Sequence, residues 1–205
     1  MKIKTLAIVI FVILLSACTS SGDKVDQSNE QGQGGQAQPQ NMESNMKVHT
    51  DSSDVSVIES QIASAVIGSY LEIKDALVTG DDRQAAAAGK NLVSAFDHID
   101  TGPVNPENVT ACKDIIEDAR ENAEHISESR GNISHQREHF ELLSQDIKDL
   151  IMITGADRKL FELFCPMGEN NGGGMWLSAS DEIKNPYYES KMADNGKVMA
   201  VISLR

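Results

Sequence analysis

Between Val55 and Ile153 large apolar side chains return every three or four residues, and this periodicity constrains the fold before composition is considered. Spacing by threes and fours aligns one face of an α-helix, whereas a half-buried strand alternates. Four such stripes follow one another. The first carries Ile58, Ile62, Val66, Ser69 or Tyr70, Ile73 and Leu77; it predicts a helix from Val55 to Val78, stopped by Gly80, with Asp81 or Asp82 placed to cap the next. The second runs from Arg83 to Ile99 with Ala85, Ala88, Leu92, Phe96 and Ile99 on one face. Its consecutive alanines, Ala85 to Ala88, favour helix and let a neighbour approach closely. The stretch Thr101–Pro106 is rich in helix breakers and reads as a loop. The third stripe, from Glu107 to Ser129, uses Val109, Cys112, Ile116, Ala119, Ala123 and Ile126. The fourth, from Asn132 to Ile153, uses Ile133, Phe140, Leu143, Ile147 and Leu150 or Ile151. Short or moderate loops between four amphipathic helices predict an antiparallel four-helix bundle.

Past Gly155 the pattern changes. Leu160–Cys165 has the alternation of a short strand or a helix end, and Lys197–Leu204, apolar through its middle, reads as a strand. The two are expected to pair as a small hairpin capping the bundle, with irregular Gly/Pro-rich loops between them. The fold class is therefore mainly α with a small C-terminal β element. Residues 55–205 are enough for one domain with a single core.

The first residues are of another kind. Lys2 and Lys4 precede an apolar run from Leu6 to Leu15, followed by Ser16, Ala17 and Cys18, so residues 1–17 read as a signal peptide. The apolar run is too short to span a bilayer as a mature helix. Leu15-Ser16-Ala17-Cys18 resembles the bacterial lipobox, which implies that Cys18 is lipidated, becomes the new N-terminus and anchors the protein to a membrane, most naturally the outer one. Residues 18–54 are rich in Ser, Gln, Gly, Asn and Asp and have almost no large apolar side chain, a composition that does not offset its ordering entropy. They are expected to form a disordered tether that lets the domain stand away from the membrane. Loss of residues 1–17 would leave 16 basic residues against 31 acidic ones, a formal charge of −15 in place of −13. Nucleic acid and anionic lipid surfaces demand a basic face, so neither is expected as a partner of the domain.

Chemistry concentrates near the C-terminus. Cys165-Pro166-Met167, the Gly172–Gly174 run with Met175-Trp176-Leu177-Ser178, Asn185-Pro186-Tyr187-Tyr188, and Met192 with Asp194-Asn195-Gly196 hold the only Trp and two of three Tyr. Thiolate and thioether sulfurs suit Cu(I) and similar soft ions. Pro166 and the glycines supply the turns that would bring Met167, Met175 and Met192 toward Cys165. The same residues also serve as adaptable core filling, with Trp176, Tyr187 and Tyr188 closing one end of the domain.

The order of these motifs resembles a family of bacterial domains of unknown function that also occurs at the C-terminus of some periplasmic adaptor subunits of copper/silver efflux pumps and is described as heavy-metal-binding. Tyr70-Leu71 with Lys74-Asp75-Ala76-Leu77, and Gln136-Arg137-Glu138 with Phe140, Leu143 and Ser144, are similar to its helical part, so the likeness spans roughly residues 58 to 200. The resemblance implies a metal site with Cys165 as thiolate and Met167, Met175 and Met192 as thioethers, and metal-efflux components as partners. Where the family pattern has Cys-Gly, this chain has Asn195-Gly196, which leaves one thiolate plus thioethers or, were that cysteine a disulfide partner, leaves Cys165 free or turned to Cys112.

Other residues invite a chemical reading. His135-Gln136-Arg137-Glu138-His139 matches H-x-x-E-H, an inverted zinc-protease motif that needs a third ligand and an open cleft. Gln136 or Arg137 falls on the buried face of the fourth helix and must find partners, for which backbone carbonyls of the C-terminal loops are expected. Alternatively Arg137 or His139 orients the loop at Cys165, or His125 supplies an imidazole ligand. Cys112 reads as a buried thiol, or as the disulfide partner of Cys165 in an oxidising compartment. No nucleophile motif, phosphate loop or paired CxxC is present, and no enzymatic activity is expected. The sequence thus points to a membrane-anchored periplasmic lipoprotein binding a soft ion, Cu(I) or Ag(I), for buffering or hand-off to efflux. The alternative is a protein-interaction module without metal, docking through an apolar patch.

Overall fold

Asp81 opens the second helix by accepting hydrogen bonds from the backbone N–H groups of Arg83 and Gln84, at 3.1 and 2.9 Å. In the computed structural model, which describes residues 53–166, 174–188 and 194–205, four helices follow one another: α1 Ser64–Thr79, α2 Asp82–Asp97, α3 Val109–Glu128 and α4 Ile133–Thr154. Gly80 takes the left-handed conformation that ends α1, at φ 74°. Asn132 caps α4 through the N–H of His135, and the turn Pro106–Asn108 leads into α3. All described residues lie in one unit, Lys47–Arg205.

Each helix packs mainly on its neighbour in the chain: α1 on α2, α2 on α3 and α3 on α4. The alanine-rich face of α2 permits the close approach anticipated for it. A Cβ on Gly89 would lie 3.1 Å from Ala123 O and from Ser127 N of α3, so backbones nearly touch there. The domain is mainly helical with a small four-stranded sheet, β1 Ser53–Val57, β2 Leu160–Cys165, β3 Gly174–Ser178 and β4 Lys197–Leu204, in the order β1-β4-β2-β3. The expected antiparallel pairing of Leu160–Cys165 with Lys197–Leu204 is present as β2 with β4.

Two differences from the sequence reading stand out. Val55 does not begin a helix; Ser53–Val57 is a strand, parallel to β4, with Val55 opposite Ile202. Ile58, counted in the helical stripe, is 59% exposed. The cross-strand ladder with a segment 147 residues away outweighs the local spacing by threes and fours. Gly174, read as part of a loop, starts β3, which pairs antiparallel with β2, Leu163 opposite Trp176.

The core joins helices to sheet through aromatic rings. Tyr70 stacks on Phe140 with centroids 5.1 Å apart, Phe140 meets Tyr187 at 5.9 Å, and Tyr187 meets Trp176 at 6.0 Å. Arg137 bonds a carbonyl of the C-terminal loops, as expected of one of the two residues, whereas Gln136 bonds carbonyls of α2 and α3 instead. Arg137 Nε donates to Pro186 O at 2.9 Å, while Gln136 Nε2 donates to Asp82 O and Ile126 O. No helix among the described residues is long and apolar enough to cross a membrane. The signal peptide, Cys18 and nearly all of the tether lie outside the described residues.

Candidate metal centre

Three imidazoles converge where α3 and α4 lie side by side. His135 and His139 are one turn apart on α4, and His125 comes from the last turn of α3 across the short Ser129–Asn132 connection. One ring nitrogen from each lies within 4.8 Å of those of the other two. His125 stacks on His139 with centroids 4.2 Å apart, and His135 meets His139 edge-on at 4.6 Å. All three are partly exposed.

Hydrogen bonds behind two of the rings, those of His139 and His135, fix their tautomers. Asn122 Nδ2 donates to Asp118 O and Asp146 Oδ2, each at 3.1 Å, so its Oδ1 is left to accept from His139 Nδ1 at 3.0 Å. Glu138 Oε2 accepts from His135 Nδ1, also at 3.0 Å. In both residues the proton sits on Nδ1 and Nε2 keeps its lone pair, the arrangement in which ligating histidines are held by outer carboxylate or amide partners. Burial holds the His139 pKa below the ordinary histidine value, and the neighbouring His125 and His135 push in the same direction. The neutral, metal-binding form is thereby favoured near neutral pH.

The cluster borders an open cleft whose walls include Asp118, Glu121, Asp146, Leu142 and Met175. Burial raises the pKa of Asp146 against the opposing hydrogen bond from Asn122, and Asp118 and Asp149 add to the rise. Three imidazoles with an open side suit zinc, copper, nickel or iron. Around a tetrahedral ion such nitrogens stand about 3.4 Å apart. Closing the 4.8 Å spread requires the stacked His125 and His139 rings to rotate until their lone pairs converge, which partly exposed rings allow.

The sulfur set is arranged differently. Cys165 is fully buried and sits opposite Gly174, whereas Met175 sits opposite Phe164, one position along both strands. Side chains alternate across a sheet, so Cys165 and Met175 leave on opposite faces. Met175 and Phe164 line the histidine cleft, while a Cβ at Gly174, on the Cys165 side, would meet the ring of Tyr187. Met167 and Met192 lie outside the described residues. Cys112 and Cys165 are both buried free thiols, not a disulfide. Burial raises the Cys112 thiol pKa.

Two of the three histidines were visible in sequence as the H-x-x-E-H pair, and His125 was singled out separately as an imidazole donor. Glu138 of that motif sits behind His135, on its Nδ1, rather than in the water-activating position of a protease. Asn122, Asp146 and Glu121 were not anticipated. The signal for Glu121 and Asn122 was present only as helical spacing, which places each beside His125 on α3; Asp146, on α4, had none.

No curated protein and no solved structure matches this chain. Residues 66–159, which span all but the first residues of α1, the whole of α2, α3 and α4 and all three histidines, match the profile of a family described as "Protein of unknown function (DUF3347)".

Proposed function

We propose that this protein binds a transition-metal ion through His125, His135 and His139, and that it serves as a membrane-tethered metal buffer or hand-off carrier. The observation that carries this reading is the convergence of one nitrogen from each imidazole within 4.8 Å, beside an open acidic cleft. On this reading the site lies between the last two helices of an antiparallel four-helix bundle. The metal chemistry expected from the C-terminal sulfur motif is retained, but its donors shift from thiolate to imidazole. Among the described residues of the sulfur set, Met175 lines the histidine cleft. Anchoring through a lipidated Cys18 would place this site on the membrane periphery, where hand-off to metal-efflux components needs no diffusion of the carrier.

The test is a competition titration of the full chain with Zn(II), Cu(II) and, anaerobically, Cu(I), beside His139→Ala, His125→Ala and Cys165→Ser, with circular dichroism to confirm folding. One-to-one binding weakened at least about tenfold in each histidine variant and kept in Cys165→Ser is the expected result. Loss in Cys165→Ser with retention in the histidine variants would return the site to the sulfur motif. A protein-interaction role without metal has one observation in its favour: Met152 and Met199, 49% and 37% exposed, line a shared shallow groove. It stands if no variant and no wild-type chain retains metal.

A further inference from the structure

We infer that Glu121 supplies a fourth, carboxylate ligand to the three-histidine cluster, which makes the site one for a divalent ion rather than for Cu(I) or Ag(I). This rests on the metal-binding reading and specifies its ligand set and cargo. Glu121 lies one helical turn before His125 on α3, so its carboxylate hangs over the same face. Its Oε1 stands 3.8 Å from His125 Nε2. Across a tetrahedral ion with metal–nitrogen and metal–oxygen bonds of about 2.0–2.2 Å, a nitrogen and an oxygen stand about 3.4 Å apart. Toward His125 the gap needs only a few tenths of an ångström of closure; Glu121 stands outside the group whose ligand atoms lie within 4.8 Å of one another, so a rotamer change must carry its carboxylate toward His135 and His139. The Glu121 side chain is 72% exposed and can change rotamer without disturbing any packing.

Three of the neighbouring carboxylates are committed elsewhere. Glu138 accepts from His135 Nδ1, Asp146 is held by Asn122 and Glu124 is paired with Arg120 at 2.7 Å. Glu121, by contrast, borders both the cleft that contains His139 and the adjoining one along α3. Among the described residues its ion-pair partner is His125 itself.

Charge and softness then select the ion. Three neutral imidazoles and one carboxylate present a single negative charge and a hard oxygen, which suits Zn(II), Cu(II), Ni(II) or Co(II). Monovalent Cu(I) and Ag(I) favour thiolate and thioether sulfur, and the thiol of Cys165 lies on the other face of the sheet from this cleft.

The experiment uses the full chain with Zn(II) and Cu(I) competition probes and with Co(II) as a spectroscopic reporter, comparing wild type, Glu121→Gln and Glu117→Gln. Glu117 is exposed one turn earlier on the same helix, so its variant removes the same charge without the proposed ligand. Expected are intense visible Co(II) bands of a four-coordinate site in wild type, Zn(II) affinity at least about tenfold weaker in Glu121→Gln, little change in Glu117→Gln, and Cu(I) affinity unmoved by either. Equal losses in the two variants would reduce Glu121 to a contributor to the diffuse field and overturn the assignment. Unchanged Zn(II) affinity in Glu121→Gln, or an equal loss for Cu(I), would overturn it as well. Failure of the underlying reading looks different: the wild-type chain retains no metal, or His139→Ala binds as tightly as wild type.

Discussion

Tyr70 is the point at which three elements meet. Its hydroxyl accepts from the backbone N–H of Leu177 on β3 at 2.9 Å and lies 2.8 Å from Ser144 Oγ of α4. Ser144 donates in turn to Phe140 O, so the Tyr70 hydroxyl donates to Ser144 and the relay has one direction. Burial drives the phenol pKa far up, so the donor proton is present at every pH the protein meets. Removing the hydroxyl would leave the Leu177 N–H buried without its partner. Tyr70→Phe is expected to cost about 1–3 kcal/mol in urea denaturation; a change below a few tenths would show that the relay is dispensable. Gly155 makes a second demand at this scale. It ends α4 at φ 79°, and a Cβ there would overlap the carbonyl oxygen of Ile58. Gly155→Ala is expected to destabilise by more than about 2 kcal/mol, through both the backbone conformation and the clash. Retention of the wild-type urea midpoint in this variant would refute that account.

At the scale of elements, the start of α1 is tied to the turn after α4. Asp157 Oδ2 accepts from Ser64 Oγ at 2.8 Å and pairs with Arg158 at 2.6 Å. The hydrogen bond from Arg158, more than that from Ser64, holds the Asp157 carboxyl below its usual value of 3.8. A carboxyl with a depressed folded pKa adds stability above its unfolded value and loses it as pH falls through the folded one. Arg158 is 41% exposed, so the contribution is small, about 1 kcal/mol. Wild type should therefore exceed Asp157→Asn in stability at pH 7 by about that amount, with the gap closing below pH 3.8; a gap that stays constant down to pH 3 would contradict this origin. The helices were legible because each carries its own stripe and its own stop or cap, as Gly80 and Asp81 show. Strands β1 and β3 were not. Ser53–Val57 is mostly polar and becomes a strand only through β4, and the glycines before Met175 masked a segment that β2 makes into an edge strand.

For the molecule as a whole, the same division between local and distant information governs the candidate site. The His135–His139 pair is written in one helix, but its third member depends on how α3 folds back on α4, which no local spacing states. The sulfur motif was conspicuous in sequence because its residues are rare, yet strand alternation separates Cys165 from Met175. Trp176 and Tyr187 of the same motif fill the core beside Phe140. The sheet also has a mechanical consequence. Because β1 and β4 are parallel and stand at the two ends of the domain sequence, tension between the chain ahead of Ser53 and Arg205 pulls along both strands in opposite senses. The five registered pairs from Ser53–Ala200 to Val57–Leu204 would then bear the load together, in shear, instead of opening one at a time like a zip.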